Sequence, residues 1–137
     1  MTTDYFECGD GQIGQGSIAC EVTGSTVKVG DVVCVTASVT GGMPKVTPCG
    51  DAGLPLGVVI ALGEGQSGAV GKKVTVGLCG SGKIVKCFAH DAIVAGTKVL
   101  TAALARVKAG TGGVATDVGI ALHTSTTQGD EIGVVLS

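Results

Sequence analysis

The sequence predicts an all-β protein, a compact barrel or sandwich-like domain. Three observations carry that reading. Short Val-, Ile- and Thr-rich runs recur along the chain, each bounded by Gly, Asp or Pro. No stretch keeps a 3.6-residue apolar period, and 25 Gly in 137 residues leave little room for one. The order of these runs also repeats once within the chain, as a duplicated four-strand unit.

Taken in order, the predicted strands are 18–22, 32–37, 45–47, 57–62, 73–78, 83–88, 98–102, 105–108, 118–122 and 131–136. The run Val32-Val33-Cys34-Val35 is β-branched and Val-rich, as a buried strand is. Gly57 to Leu62 is continuous and apolar, and Lys73 to Leu78 alternates in the manner of a half-buried strand. Glu131 to Leu136 alternates in the same way. The segment 101–105 (Thr-Ala-Ala-Leu-Ala) reads as one helical turn or a hairpin tip.

The repeat matches 27–78 to 93–136. Val27-Lys28-Val29-Gly30-Asp31-Val32-Val33 corresponds to Ile93-Val94-Ala95-Gly96-Thr97-Lys98-Val99, and Lys45-Val46 to Arg106-Val107. Ile60-Ala61-Leu62 corresponds to Ile120-Ala121-Leu122, and the segment 71–78 to 129–136. A unit of this size cannot cover its own apolar face, so two copies are expected to fold as one domain over 18–137. Residues 1–17 stand outside the repeat as an extended amino-terminal arm. Two of the three aromatic residues, Tyr5 and Phe6, lie there and are the candidate protein-interaction residues.

Composition narrows the function. Aliphatic side chains dominate, with 21 Val, and mean hydropathy is +0.53. A core poor in rings forgoes the large area each would bury, so subunit contacts are expected to supply burial. Formal net charge is −2, with one Arg and few aromatics, which offers nucleic acid neither a basic footprint nor a stacking platform. The longest apolar run, 54–62, is far below the ~20 residues of a helical span, so no membrane partner is expected. The first residues hold no basic region followed by an apolar one, the mark of a secretory signal, so synthesis in the cytoplasm is expected.

No catalytic, cofactor-binding or metal residue is nominated. Gly77-Leu78-Cys79-Gly80-Ser81-Gly82-Lys83 fits the start of a phosphate-binding loop, but Ile84 stands where Ser or Thr must bind Mg²⁺, and a strand follows in place of a helix. It reads as a hairpin turn. Gly63-Glu64-Gly65-Gln66-Ser67-Gly68 fits a dinucleotide fingerprint but also precedes a strand, and reads as a loop. His90 and His123 fall in turns and read as surface or interface residues, and Asp31 as a turn acceptor. Asp130 and Glu131 read as a solvated turn. Cys8, Cys20, Cys34, Cys49, Cys79 and Cys87 show no zinc or redox spacing. With cytoplasmic synthesis they are expected to be reduced and structural, bridging after release from a cell being the alternative.

The chain resembles the capsid decoration (cement, head-stabilising) proteins of tailed bacteriophages. The resemblance rests on Tyr5-Phe6 before a Gly-rich stretch, Val29 to Val33, Leu56 to Ala61, Val94 to Val99, Val107-Lys108, Val118 to Ala121 and Gly129 to Val135. It implies a non-enzymatic virion protein that binds the outside of an assembled shell. It further implies a homotrimer that clamps neighbouring subunits of the major capsid protein and stabilises them. Another β-rich particle module, such as a fibre or spike, is the alternative, with a small-molecule-binding barrel behind it. Six cysteines depart from the family pattern.

Overall fold

A computed structural model describes residues 16–36, 42–110 and 115–137. Within them the chain forms ten strands and no α-helix. These are β1 (Ser17–Val22), β2 (Val32–Val35), β3 (Lys45–Pro48), β4 (Gly57–Leu62) and β5 (Lys73–Leu78), then β6 (Ile84–Phe88), β7 (Lys98–Ala102), β8 (Arg106–Ala109), β9 (Asp117–Ala121) and β10 (Glu131–Leu136). All ten predicted strands are present, with ends moved by a residue or two.

The first five strands close into a barrel in the order β1-β3-β2-β4-β5. The last five form a sheet in the order β6-β10-β9-β7-β8. A parallel bridge between Ala89 and Val107 brings the ends of that second sheet together, as β1 and β3 run parallel through Val22 and Val46. The two halves therefore share one topology. Each copy carries a fifth strand, β1 or β6, ahead of the four that the sequence repeat identifies.

The equivalence reaches single hydrogen bonds. Gly30 N–H donates to the Val59 carbonyl, and Gly96 N–H to that of Ala121. Val59 N–H donates to Asp31, and Ala121 N–H to Thr97. Both turn glycines have positive φ, 102° and 90°, where an L side chain is strained. Gly57 stands opposite Leu78 as Gly119 stands opposite Leu136. The glycines are thus the equivalent pair, and Ile60-Ala61 does not superpose on Ile120-Ala121. A one-residue bulge in the β4–β5 pairing between Val59 and Ala61 then shifts the residues that follow by one.

Two apolar clusters result. Cys20, Val22, Val27, Val33, Val46, Val59, Val74 and Val76 fill the first barrel. The other cluster fills the second unit and includes Val85, Cys87, Val134 and Leu136. It also takes in Val32, Cys49 and Val58 from the outer wall of the first barrel. Ten of the twelve largest fully buried side chains are Val, with Ile93 and Leu136. At roughly 1.5–3 kcal/mol per fully buried aliphatic side chain, the shared wall is what joins the units.

Phe88, the one Phe, Tyr or Trp among the described residues, packs at the same junction. Its edge lies against Gly30, where an added Cβ would come within 2.6 Å. The Lys28 ammonium sits 4.4 Å from the ring centroid.

The stretch 78–84 is the link between the units rather than the expected hairpin. β5 pairs with β1 and β4, while β6 pairs with β10. Gly82 N–H instead donates to Leu136. The loop 63–68 does connect a paired hairpin, β4–β5.

Cys8 lies outside the described residues, and the five described cysteines divide into two kinds. Cys34 and Cys49 form a disulfide, with a Cα–Cα distance of 5.2 Å, so the expectation of reduced thiols throughout is corrected. The β2–β3 register causes it: Cys34 stands opposite Thr47, which carries Cys49 just past the end of β3. Cys20, Cys79 and Cys87 are free. Burial pushes the Cys20 and Cys87 thiols up to about 12 and that of Cys79 up to about 11. An unfolded thiol ionises near its ordinary value of 9.0. Above that pH the unfolded chain loses protons that the folded chain keeps, so stability is full below about pH 9 and falls as pH rises towards 12. Urea midpoints measured across that range should decline, and more gently in a Cys20→Ala, Cys87→Ala variant. A midpoint flat through pH 11 would contradict this.

Candidate interaction surface

Two neighbouring loops each expose a leucine. One, residues 49–55, follows β3. The other is the tip of the β7–β8 hairpin, Ala103–Ala105. Ala105 N–H donates to the Cys49 carbonyl at 3.0 Å. The Thr101 hydroxyl donates to the Gly53 carbonyl at 2.8 Å. Lys108 Nζ lies 2.6 Å from Asp51 Oδ1. Gly53 fits closely against Cys34 Sγ, 2.9 Å from where a Cβ would stand. Three cross-unit polar contacts thus hold the first loop to the β7–β8 hairpin, and the disulfide anchors it to β2.

These loops carry Leu54 and Leu104, which are 64% and 69% exposed. They also hold three of the four described non-glycine residues with positive φ: Ala52 (63°), Leu104 (64°) and Ala105 (59°). A left-handed Leu costs roughly 1–2 kcal/mol. Such strain persists only where surrounding contacts impose it, and it concentrates at functional positions. A rigid, strained loop pair that holds two leucines in water fits protein recognition, where a few anchors carry the energy.

The residues singled out from sequence are spread widely. Tyr5 and Phe6 lie outside the described residues. The Asp31 carboxylate accepts the Lys28 N–H at 3.0 Å, as its turn position predicts. Burial raises its pKa, partly offset by that bond and by the charges of Lys28 and Arg106. His123 Nδ1 accepts the Gly133 N–H at 2.9 Å and so serves the end of the β9–β10 pair. His90 Nδ1 lies 3.5 Å from Gln128 Nε2, and its N–H donates to Val107. Asp130 Oδ2 accepts two N–H groups, from Thr126 and Thr127. Glu131 pairs with Lys86 at 3.7 Å. The structure does not bring these groups into one site. Among the described residues no three His, Cys, Asp or Glu side chains meet as a metal site.

Sequence reading passed over Leu54 and Leu104. The one signal for them was Leu flanked by small residues or Pro in predicted turns, where a solvated residue is the rule.

No protein-family model and no curated protein matches the chain. Among solved structures, the chain is similar to the N base of head fiber gp8.5 in bacteriophage phi29. The TM-score is 0.66 at 15% identity, over 88% of this chain and 92% of that one. At this identity the likeness establishes a shared fold.

Proposed function

We propose that the chain is a structural protein of a phage particle. It sits on the outside of an assembled head and ties neighbouring major capsid protein subunits together. The observation that carries this reading is the fold likeness, nearly end to end, to the base of a phage head fiber. The sequence resemblance to decoration proteins supports it independently. The role calls for a rigid scaffold and an apolar contact face rather than catalytic chemistry. The Leu54–Leu104 ridge supplies that face, and trimers at local three-fold positions would present three ridges to the shell. A protein that binds the built shell and not its free subunits stabilises the shell by mass action, and repetition over a lattice adds avidity.

A second reading, the base of a projecting fibre, is favoured by the printed description of the same neighbour. Purified protein mixed with expanded heads lacking it tests both. Co-sedimentation with a raised disruption temperature supports the clamp. Co-sedimentation without that rise supports a fibre base, and absence of binding rejects both.

The ridge has its own test. Leu54→Asp should weaken co-sedimentation tenfold or more, about the 1.4 kcal/mol or greater loss of a contact anchor. Leu104→Gly separates binding from folding. It removes the anchor but relieves the left-handed strain, so stability should hold or rise by about 1 kcal/mol while binding falls. Unchanged binding in both variants would remove the ridge from the contact.

A further inference from the structure

The two units treat the same row of residues differently. In the first barrel, cross-strand pairing lines up Ser17, Gly77, Val58 and Val32 on the outer wall. Val58 and Val32 are fully buried there, and Gly77 is covered by Leu136 and Lys83 of the second unit. The equivalent row in the second unit is Ile84, Val135, Ile120 and Lys98. No described part of the chain covers it. Ile84 is 70% exposed, and Val135 and Ile120 are only half-buried. The strip is thus an apolar face of the kind that the fold itself buries once.

Its far end is cationic. Lys98 closes the row, and among the described residues no carboxylate lies in ion-pair range of it. The amino-terminal sequence is complementary: Asp4-Tyr5-Phe6-Glu7 places two rings between two carboxylates. The point of attachment also fits. Gly16 lies beside the start of the strip, its carbonyl accepting Leu78 N–H. A Cβ on Gly16 would stand 2.7 Å from Ser81 Cβ and 3.6 Å from Lys83 Cε. Residues 8–15 form an eight-residue spacer with three Gly. A Gly-rich chain of that length has a root-mean-square reach of roughly 14–17 Å. The four strands from β6 to β7 span about 14 Å at ~4.8 Å each. The reach matches the strip, which gives the tethered segment a high effective concentration on its own chain.

We infer that residues 4–7 of the same chain dock on the Ile84–Val135–Ile120 strip, with the rings on the apolar row and the flanking carboxylates of Asp4 and Glu7 within reach of Lys98. This inference does not depend on the proposed function.

Tyr5 is the only tyrosine and the chain has no tryptophan, so intrinsic fluorescence reports on this segment alone. In the full chain, Tyr5 should be shielded from acrylamide, and equally so at low and high protein concentration. Ile84→Asp, at an exposed site that the fold tolerates, should raise the quenching constant about threefold or more. A Lys98→Glu variant should weaken the shielding, and adding Asp4→Lys, Glu7→Lys should restore it. Free quenching in the unaltered chain would overturn the inference. So would shielding that Ile84→Asp leaves intact, because the segment would then dock elsewhere. Shielding that fades on dilution would also overturn it, because the segment would then come from another copy.

Discussion

Gly57→Ala and Gly119→Ala should each prevent stable folding, and to a similar degree. The two glycines hold the same place in their units, at a paired position in the central strand. A Cβ on Gly57 would stand 1.9 Å from the Gly77 carbonyl oxygen, and one on Gly119 2.0 Å from that of Val135. Overpacking a core usually costs about 1–3 kcal/mol because side chains can shift rotamer. Here the obstacle is the backbone of the neighbouring strand. Relief requires parting β4 from β5, or β9 from β10, and those pairings close each unit. The cost is therefore expected to exceed ~3 kcal/mol, a large part of the 5–15 kcal/mol of a typical domain. Soluble yield should collapse, or the urea midpoint should fall by half. Gly50→Ala is the control, because it has open space and no left-handed φ. If Gly57→Ala melted with the unaltered protein, the strand spacing described here would be wrong.

Those two glycines also show what was legible in the sequence. The strands were, because β-branched runs and Gly punctuation act locally and leave a local trace. The matched turns at Gly30 and Gly96 were legible for the same reason. The fifth strand of each unit leaves a fainter trace, since Ser17-Ile18-Ala19-Cys20 and Ile84-Val85-Lys86-Cys87 share only their inward residues. Those residues carried a usable signal: Ile18 matches Val85, and Cys20 matches Cys87, at places set by the same pairing to β5 and β10. In β4 the letters point two residues out of register, because Ile-Ala-Leu is the stronger match. A bulge leaves no letter signature, and only the need for a missing Cβ identifies Gly57 with Gly119. The Leu54–Leu104 surface depends on which loops meet across the units, which is tertiary information. The link 78–84 was read as a hairpin because turn residues report a reversal of direction, not the partner that the next strand chooses.

Breaking the Cys34–Cys49 disulfide should destabilise the protein by about 3 kcal/mol, the chain-entropy value for a 15-residue loop. A change of that size corresponds to roughly 10 °C in Tm for a chain of this length. Cys34→Ala with Cys49→Ala should reproduce it, because alanine leaves no buried hydroxyl behind. The loss should not be uniform. Cys49 accepts the Ala105 N–H through its carbonyl and begins the loop that carries Leu54, while Gly53 packs on Cys34 Sγ. Reduction should therefore loosen the ridge before it unfolds the barrel, and proteolysis should begin within residues 49–55. Redox compartment gives the bond a direction in time. Thiols stay reduced in a cytosol, so a chain made there would close this bridge after release, gaining stability when a particle must survive outside a cell. Alkylation of freshly lysed material under denaturing conditions should label Cys34 and Cys49, and labelling there should vanish after air oxidation. Cys20, Cys79 and Cys87 should label in both samples. Equal melting of the reduced and oxidised protein would show that the bridge does not constrain the fold.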